Sequence, residues 1–209
     1  IAFLNLYLEA MVEVITRYGG TIDEIIGDAI LVIFGAPLAS EDHAAKAVAC
    51  GLAMQLAMAE VNQRLTAKGA TELEMGIGIN TGRVVVGNIG SVRRTKYAAV
   101  GANVNLAGRI ESYTTGGQLL ISESTRTAIK TPLRLDAEFL VEPKGATRRL
   151  QLHEVGGIGE PFNLSLPARS RELRPLPQPL PISFTILEEK FVGRTVYPGC
   201  LVAISATEA

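Results

Sequence analysis

The stretch Thr21 to Phe34, TIDEIIGDAILVIF, decides the fold. Thr21–Ile25 and Ala29–Phe34 are rich in β-branched and large apolar residues, and Gly27-Asp28 between them is a turn pair, so the stretch reads as a tight hairpin. Upstream, Leu4, Leu8, Met11, Val12 and Ile15 fall at helical spacing, and Gly19-Gly20 ends that helix. Downstream, Pro37 and Ser40 punctuate the chain. Ser40 followed by Glu41 and Asp42 predicts an N-cap with acids in the first turn. The helix it opens buries Val48, Leu52, Leu56 and Ala59 and stops near Gly69.

Further along, Glu74–Asn80 and Arg83–Asn88 are expected to pair around Thr81-Gly82, with Tyr97–Val100 a short strand. Asn103–Ser112 reads as a helix, Leu119–Ser122 as a strand and Glu123–Ile129 as a short helix. Leu133–Val141 and Arg149–Val155 close the sheet. Hairpins mixed with helices predict an α+β fold, a mixed and largely antiparallel sheet with helices packed on it. Six of the ten prolines lie between Pro161 and Pro181, among Arg169, Arg171 and Arg174, so 156–181 reads as a Pro-rich linker. Residues 182–209 read as the start of a β domain too small to bury a core by itself. No internal repeat is visible.

The 209 residues carry 20 Lys plus Arg against 21 Asp plus Glu, with 47% hydrophobic and 20% charged residues. This is the composition of a folded domain. Without a positive excess, wholesale nucleic-acid binding is disfavoured. Cys50 and Cys200 form no CxxC, which excludes a disulfide scaffold and fits a reducing, cytoplasmic compartment. His43 and His153 read as structural, and Met11, Met54, Met58 and Met75 as core. The most apolar long stretch, Ala44–Val61, is interrupted by Lys46, Gln55 and Glu60, so no membrane segment is expected. The chain opens without Met, in the middle of a helical pattern, and reads as a piece of a longer polypeptide.

Three motifs carry chemistry. A carboxylate on the Gly27-Asp28 turn can face outward and hold Mg²⁺ with substrate phosphates; alone, it can equally just favour the turn. In VGANVNLAGRIE, Val100–Glu111, Asn105 and Arg109 lie one helical turn apart on one face. Arg offers a fixed cation suited to a phosphoryl transition state and Asn can orient a hydroxyl, although a solvated helix surface has the same pattern. The glycines of MGIGINTGRVVVGNIGS, Met75–Ser91, match neither a dinucleotide fingerprint nor a P-loop, and alone signal close backbone packing.

Together, in this order and spacing, the three resemble the catalytic domain of the class III nucleotidyl cyclases, the adenylate and guanylate cyclase family. The family pattern is a hairpin ending in Gly-Asp, then GI-x-x-G-x-V-x-G, then G-x-x-V-N-x-A-x-R. Here it stands as Gly27-Asp28, Gly78-Ile79-Asn80-Thr81-Gly82-Arg83-Val84 and Gly101-Ala102-Asn103-Val104-Asn105-Leu106-Ala107-Gly108-Arg109. The resemblance spans residues 1–155 and implies a ferredoxin-like, palm-type fold. A diguanylate cyclase would need a contiguous GGDEF-type turn, and the sequence has none.

The resemblance implies an active site shared across a homodimer, with two Mg²⁺ or Mn²⁺ ions. It implies Asp28 as one of two metal carboxylates, Asn105 as the residue that orients the ribose and Arg109 as the transition-state cation. Lys144, in Pro143-Lys144-Gly145, looks like the phosphate-binding lysine. Purine choice falls to Glu24, four before Asp28, where adenylate cyclases carry Lys, and to Ala98, seven before Asn105. Guanine presents N1–H and N2 amino donors to a carboxylate, whereas adenine presents an N1 acceptor. Unpaired buried donors cost about 1–3 kcal/mol each, enough to separate the bases. Ala98 offers no hydrogen bond, so selection would rest on Glu24.

The implied activity is conversion of GTP to cyclic GMP, with regulatory domains elsewhere in the parent chain. Two alternatives stay open: an adenylate cyclase with relaxed base choice, and a cyclase-like dimerisation or nucleotide-binding module without catalysis. In the tail, Leu201–Glu208 loosely resembles the D-x-S-x-x-G strand of PilZ-type barrels, which bind cyclic diguanylate, but with Ala203 and Glu208 in place of the Asp and the last Gly. The family's other metal Asp lies in an F-x-D-x-x-G-F-type strand preceding the first helix, and these 209 residues do not include it. The 209-residue chain by itself is therefore expected to make no cyclic nucleotide with Mg²⁺ or Mn²⁺. Steady turnover of GTP or ATP by this chain alone would contradict that reading.

Overall fold

A computed structural model describes residues 1–142 and 149–168. Lys144, residues 169–181 of the Pro-rich stretch and the expected β segment at 182–209 lie outside the described residues. The chain runs α1 (Ala2–Arg17), β1 (Thr21–Ile26), β2 (Ala29–Ile33), α2 (His43–Thr66), β3 (Ile77–Ile79), β4 (Val85–Ser91), β5 (Arg94–Val100) and α3 (Ala102–Glu111). It continues through β6 (Leu119–Ser122), α4 (Glu123–Ala128), β7 (Leu133–Val141), β8 (Leu150–Ile158) and β9 (Leu164–Ser165).

The α+β architecture holds, but the strands divide into three sheets rather than one. β1 and β2 form the expected antiparallel hairpin. The largest sheet has the order β3-β6-β8-β7, with β9 added on β8, and β3–β6 is its parallel pair. β6 lies between two layers. Leu119 and Ile121 meet Val48, Ala49 and Leu52 of α2, while Leu120 meets Ile110 of α3. A strand covered on both faces needs an unbroken apolar run, and Leu119-Leu120-Ile121 supplies it. The other face of α2 packs on α1 through Cys50, Met54, Met58 and Val61 against Met11, Val14 and Ile15.

Four expectations are corrected. Glu74–Asn80 does not pair with Arg83–Asn88. Instead β3 is short and joins β6, and β4 pairs with β5 around Val92-Arg93. The reason lies at residues 80–83, where the Asn103 amide occupies the space beside Gly82 and donates to the Arg83 carbonyl at 2.9 Å. Ser40 does not cap α2: its hydroxyl bonds the Asp42 carboxylate, and Asp42 takes the N-cap position. The boundary expected at 155/156 falls inside β8, because Gly157 and Ile158 pair with Ser165 and Leu164. Finally, α2 is long and apolar enough to cross a membrane by length and composition, yet half of that span is buried inside the fold, as in a core helix.

β2 and β3 line one groove but belong to different sheets. Each has an outer edge with no strand partner among the described residues. Between them runs a groove of about 1210 Å³, floored by Cys50, Gly51 and Met54 and walled by Ile30, Val32, Ile77 and Ile79.

α3 lies on β3 through Gly78. A Cβ at that position would run into the backbone of Glu111 and the Ala107 carbonyl. Gly78→Ala is expected to cost about 1–3 kcal/mol, the range for overpacking, read as a lowered denaturation midpoint. A second consequence concerns acid. Arg126 donates to Glu123 at 2.8 Å and His153 Nε2 lies 2.6 Å from the same carboxylate, which together hold its pKa at about 2, below the ordinary 4.5. That stabilisation is present above the unfolded value and is lost as pH falls towards 2. Glu123→Gln is expected to flatten the acid limb of an unfolding-against-pH curve and to leave its neutral and alkaline part unaltered in shape.

Candidate active site

The groove collects residues from three elements. Gly27, at φ +65°, makes the turn that carries Asp28 out of the β1–β2 hairpin. Asp28 is exposed, lines the groove and has no salt-bridge partner among the described residues. Its carboxylate acts on Tyr7, whose phenol is pushed above its usual range first by burial and then by the Asp28 charge. Tyr7 is a groove residue that sequence reasoning missed, since at helical spacing it reads as core.

On the far wall, α3 starts at Gly101, whose φ of +143° favours glycine, and has no side-chain N-cap. A pair of amides anchors it instead. Asn80 Nδ2 donates to Asn103 O at 3.1 Å and Asn103 Nδ2 donates to Arg83 O. Ser124 Oγ from α4 donates to Asn80 Oδ1 at 3.3 Å. Ile110 points into the core, and Leu106 packs beside it. The opposite face leaves Asn105 and Arg109 exposed on the groove, with no ion pair to Arg109 among the described residues. The two glycines of GI-x-x-G now have separate causes: Gly78 admits the helix backbone and Gly82 admits the Asn103 amide. Asn80 sits at a variable position of that motif, which is why its role was not read from sequence.

Glu24 and Ala98 lie on β1 and β5, which the Asp23–Ala99 hydrogen bond joins, and both are outside the groove lining. The register of β1 shifts between Ile22 and Glu24, a bulge at Asp23. The freed Asp23 carboxylate accepts the Ala99 N–H at 2.9 Å and so docks the first hairpin on β5. Bulges re-aim neighbouring side chains, and here Glu24 is turned to Lys96, with Oε1 2.9 Å from Nζ. Both side chains are about half exposed. Ala98 is 4% exposed and presents only a methyl group. Asp23 and Lys96 are further residues missed in the sequence, because a bulge cannot be read from strand periodicity.

A free carboxylate and a free guanidinium share a groove with an exposed amide. Among the described residues no three His, Cys, Asp or Glu side chains gather as a metal cluster. Asp28 alone fits Mg²⁺, which is commonly held by one or two carboxylates together with substrate phosphates.

Comparison with known proteins agrees with this geometry. Residues 1–153 match the family described as the adenylate and guanylate cyclase catalytic domain. Adenylate cyclase 1 of Rhizobium meliloti (strain 1021) is 31% identical over 165 residues, covering 78% of this chain and 25% of that protein. The crystal structure of the guanylyl cyclase Cya2 is similar at TM-score 0.78 and 57% identity, covering 79% of this chain and 84% of the other. The adenylyl cyclase CyaB from P. aeruginosa is similar at TM-score 0.68 and 38% identity, covering 74% and 80%. The chain spans between a quarter and a third of two of its curated relatives, at 25% and 31% of their length. With the hairpin carboxylate, the helix amide and guanidinium and the fold in place, the chain belongs to the adenylate and guanylate cyclase family, and residues 1–153 are its catalytic-domain segment.

Proposed function

We propose that this domain converts GTP to 3′,5′-cyclic GMP and pyrophosphate in the cytoplasm, as a homodimer with shared active sites, within a longer polypeptide that carries regulatory domains. The observation that carries guanine over adenine is Glu24: a half-exposed carboxylate, 2.9 Å from Lys96 Nζ, at the family's base-selecting position. It accepts from the N1–H and N2 amino group of guanine and opposes the N1 lone pair of adenine.

In the reaction the ribose 3′-oxygen attacks the α-phosphorus. The new O–P bond closes the ring, the bond to the β-phosphate oxygen breaks, and pyrophosphate leaves with that electron pair. The 3′-hydroxyl proton goes to solvent, since no described side chain is placed as a dedicated base. Two Mg²⁺ or Mn²⁺ ions, one of them held by Asp28, would supply the charge that acidifies the hydroxyl and neutralises the phosphates. Asn105 orients the ribose. Arg109 donates to the oxygens of the α-phosphoryl group as charge develops there. Lys144 is proposed to bind the phosphates.

Two features support a second copy. Ile25 and Ile26 on the first hairpin, Val85 and Val100 on the second, and fully exposed Val92 at its tip leave apolar surface uncovered. An extended strand laid between β2 and β3, with a second carboxylate, would complete both the sheet and the metal site. It would also stand between the Asp28 turn and α3, so a given site would draw on two protomers. Ala98 favours a secondary reading, adenylate cyclase activity with loose base choice, because its methyl group cannot refuse either purine.

In the full-length protein, Glu24→Lys is expected to lower the ratio of kcat/KM for GTP to that for ATP by about tenfold or more. An unchanged ratio in parallel assays would remove the guanine assignment. Arg109→Ala is expected to reduce kcat by about 10²–10³ with a small change in KM. An unaltered kcat would place the transition-state cation elsewhere.

A further inference from the structure

Asn80 lines the groove, yet both polar atoms of its amide are turned to protein partners. Nδ2 donates to Asn103 O at 3.1 Å and to Asn103 Oδ1 at 3.2 Å, and Oδ1 accepts from Ser124 Oγ at 3.3 Å. Both Asn103 atoms are acceptors, so the amide stands one way round, with its NH₂ toward α3 and its oxygen toward α4. Asn103 in turn donates to the Arg83 carbonyl at 2.9 Å. The first turn of α3 is therefore tied on two sides to the crossing at 80–83.

The support behind Asn80 is α4. Parallel pairing sets the ends of β3 and β6 side by side, with Asn80 following one and α4 the other. Fully buried Thr125 donates its hydroxyl to the Ile79 carbonyl at 3.4 Å, and its N–H goes to the Ser122 hydroxyl at the N-cap. Glu123 of the same turn meets buried His153 at 2.6 Å. This short helix is held at successive residues and makes a fixed post for Ser124.

Resting on the roles proposed above for Asn105 and Arg109, we infer that Asn80 is a positioning residue for the cyclase reaction: backed by Ser124, it sets the start of α3 through Asn103 and touches no nucleotide atom itself. Asn105 lies two residues beyond Asn103 and Arg109 six, so a shift of the helix start moves both. Small misplacement of groups that act in the transition state is felt in the rate more than in ground-state binding.

Variants separate positioning from direct contact and from folding. In the full-length protein, Asn80→Ala is expected to lower kcat about tenfold and to leave KM for GTP within about threefold. The double variant Asn80→Ala with Asn103→Ala is expected to lose no more kcat than the worse single variant, because the two residues act as one unit. Ser124→Ala deletes an exposed hydroxyl from a helix that tolerates alanine, and carries the test should Asn80→Ala fold poorly. It is expected to lower kcat about threefold alone and not at all in the Asn80→Ala background, whereas Ser124→Thr, which keeps the hydroxyl, should retain full kcat. Unchanged kcat in Asn80→Ala or in Ser124→Ala would overturn the inference, as would losses that multiply in the Asn80–Asn103 double variant, the mark of a direct contact with nucleotide. If Arg109→Ala still lowers kcat in that case, the failure belongs to the positioning role alone. If Arg109→Ala alters nothing either, the roles given to α3 fail with it.

Discussion

The contact on which the site most depends is the seating of α3 on β3 at Gly78. A helix can approach a strand this closely only where the strand presents no side chain, and a Cβ there would meet the backbone of Glu111. The contact sets the depth of α3 and, through helical periodicity, which residues face outward. Ile110 goes into the core beside Leu120 and Leu152, so Asn105 and Arg109 face the groove. The amide pair Asn80–Asn103 fixes the start of the same helix, where no side-chain cap exists. A helix seated at both ends holds the Arg109 side chain on a rigid support.

The first hairpin is placed by a different device. Its bulge frees Asp23, whose carboxylate takes a backbone N–H from β5. One side chain thereby does two things: it joins two small sheets that have no strand pairing with one another, and it sets Glu24 opposite Lys96. The position of the Glu24 side chain and the packing of the two hairpins are consequently coupled, and a change at Asp23 would be felt at Glu24.

Much of this was legible in the residues. The Thr21–Phe34 hairpin, the helix carrying Asn105 and Arg109, and the buried run Leu119–Ser122 follow from periodicity and turn chemistry, because each is decided by local contacts. The pairing of β3 with β6 was not legible, since residues 80–83 look like a turn between strands and only the distant Asn103 amide shows that they are a crossing. Tyr7 and Lys96 escaped for a similar reason. Their neighbours, Asp28 and Glu24, are far along the chain or reached through a bulge, and neither relation has a sequence period. Asp28, Asn105 and Arg109 are named by motif spacing alone, and all three line one groove.

The two strand edges at that groove have a consequence for handling the chain. Each has, among the described residues, no strand partner on its outer edge above an apolar floor, the condition under which edge strands template further pairing. Natural sheets guard such edges with charges or proline, but Ala29–Ile33 and Ile77–Ile79 contain neither. At high concentration a neighbouring molecule can lend a strand to the gap. Reversible exchange of segments would then compete with ordered assembly, and slow polymerisation, more than loss of the fold, would limit the working life of the isolated chain.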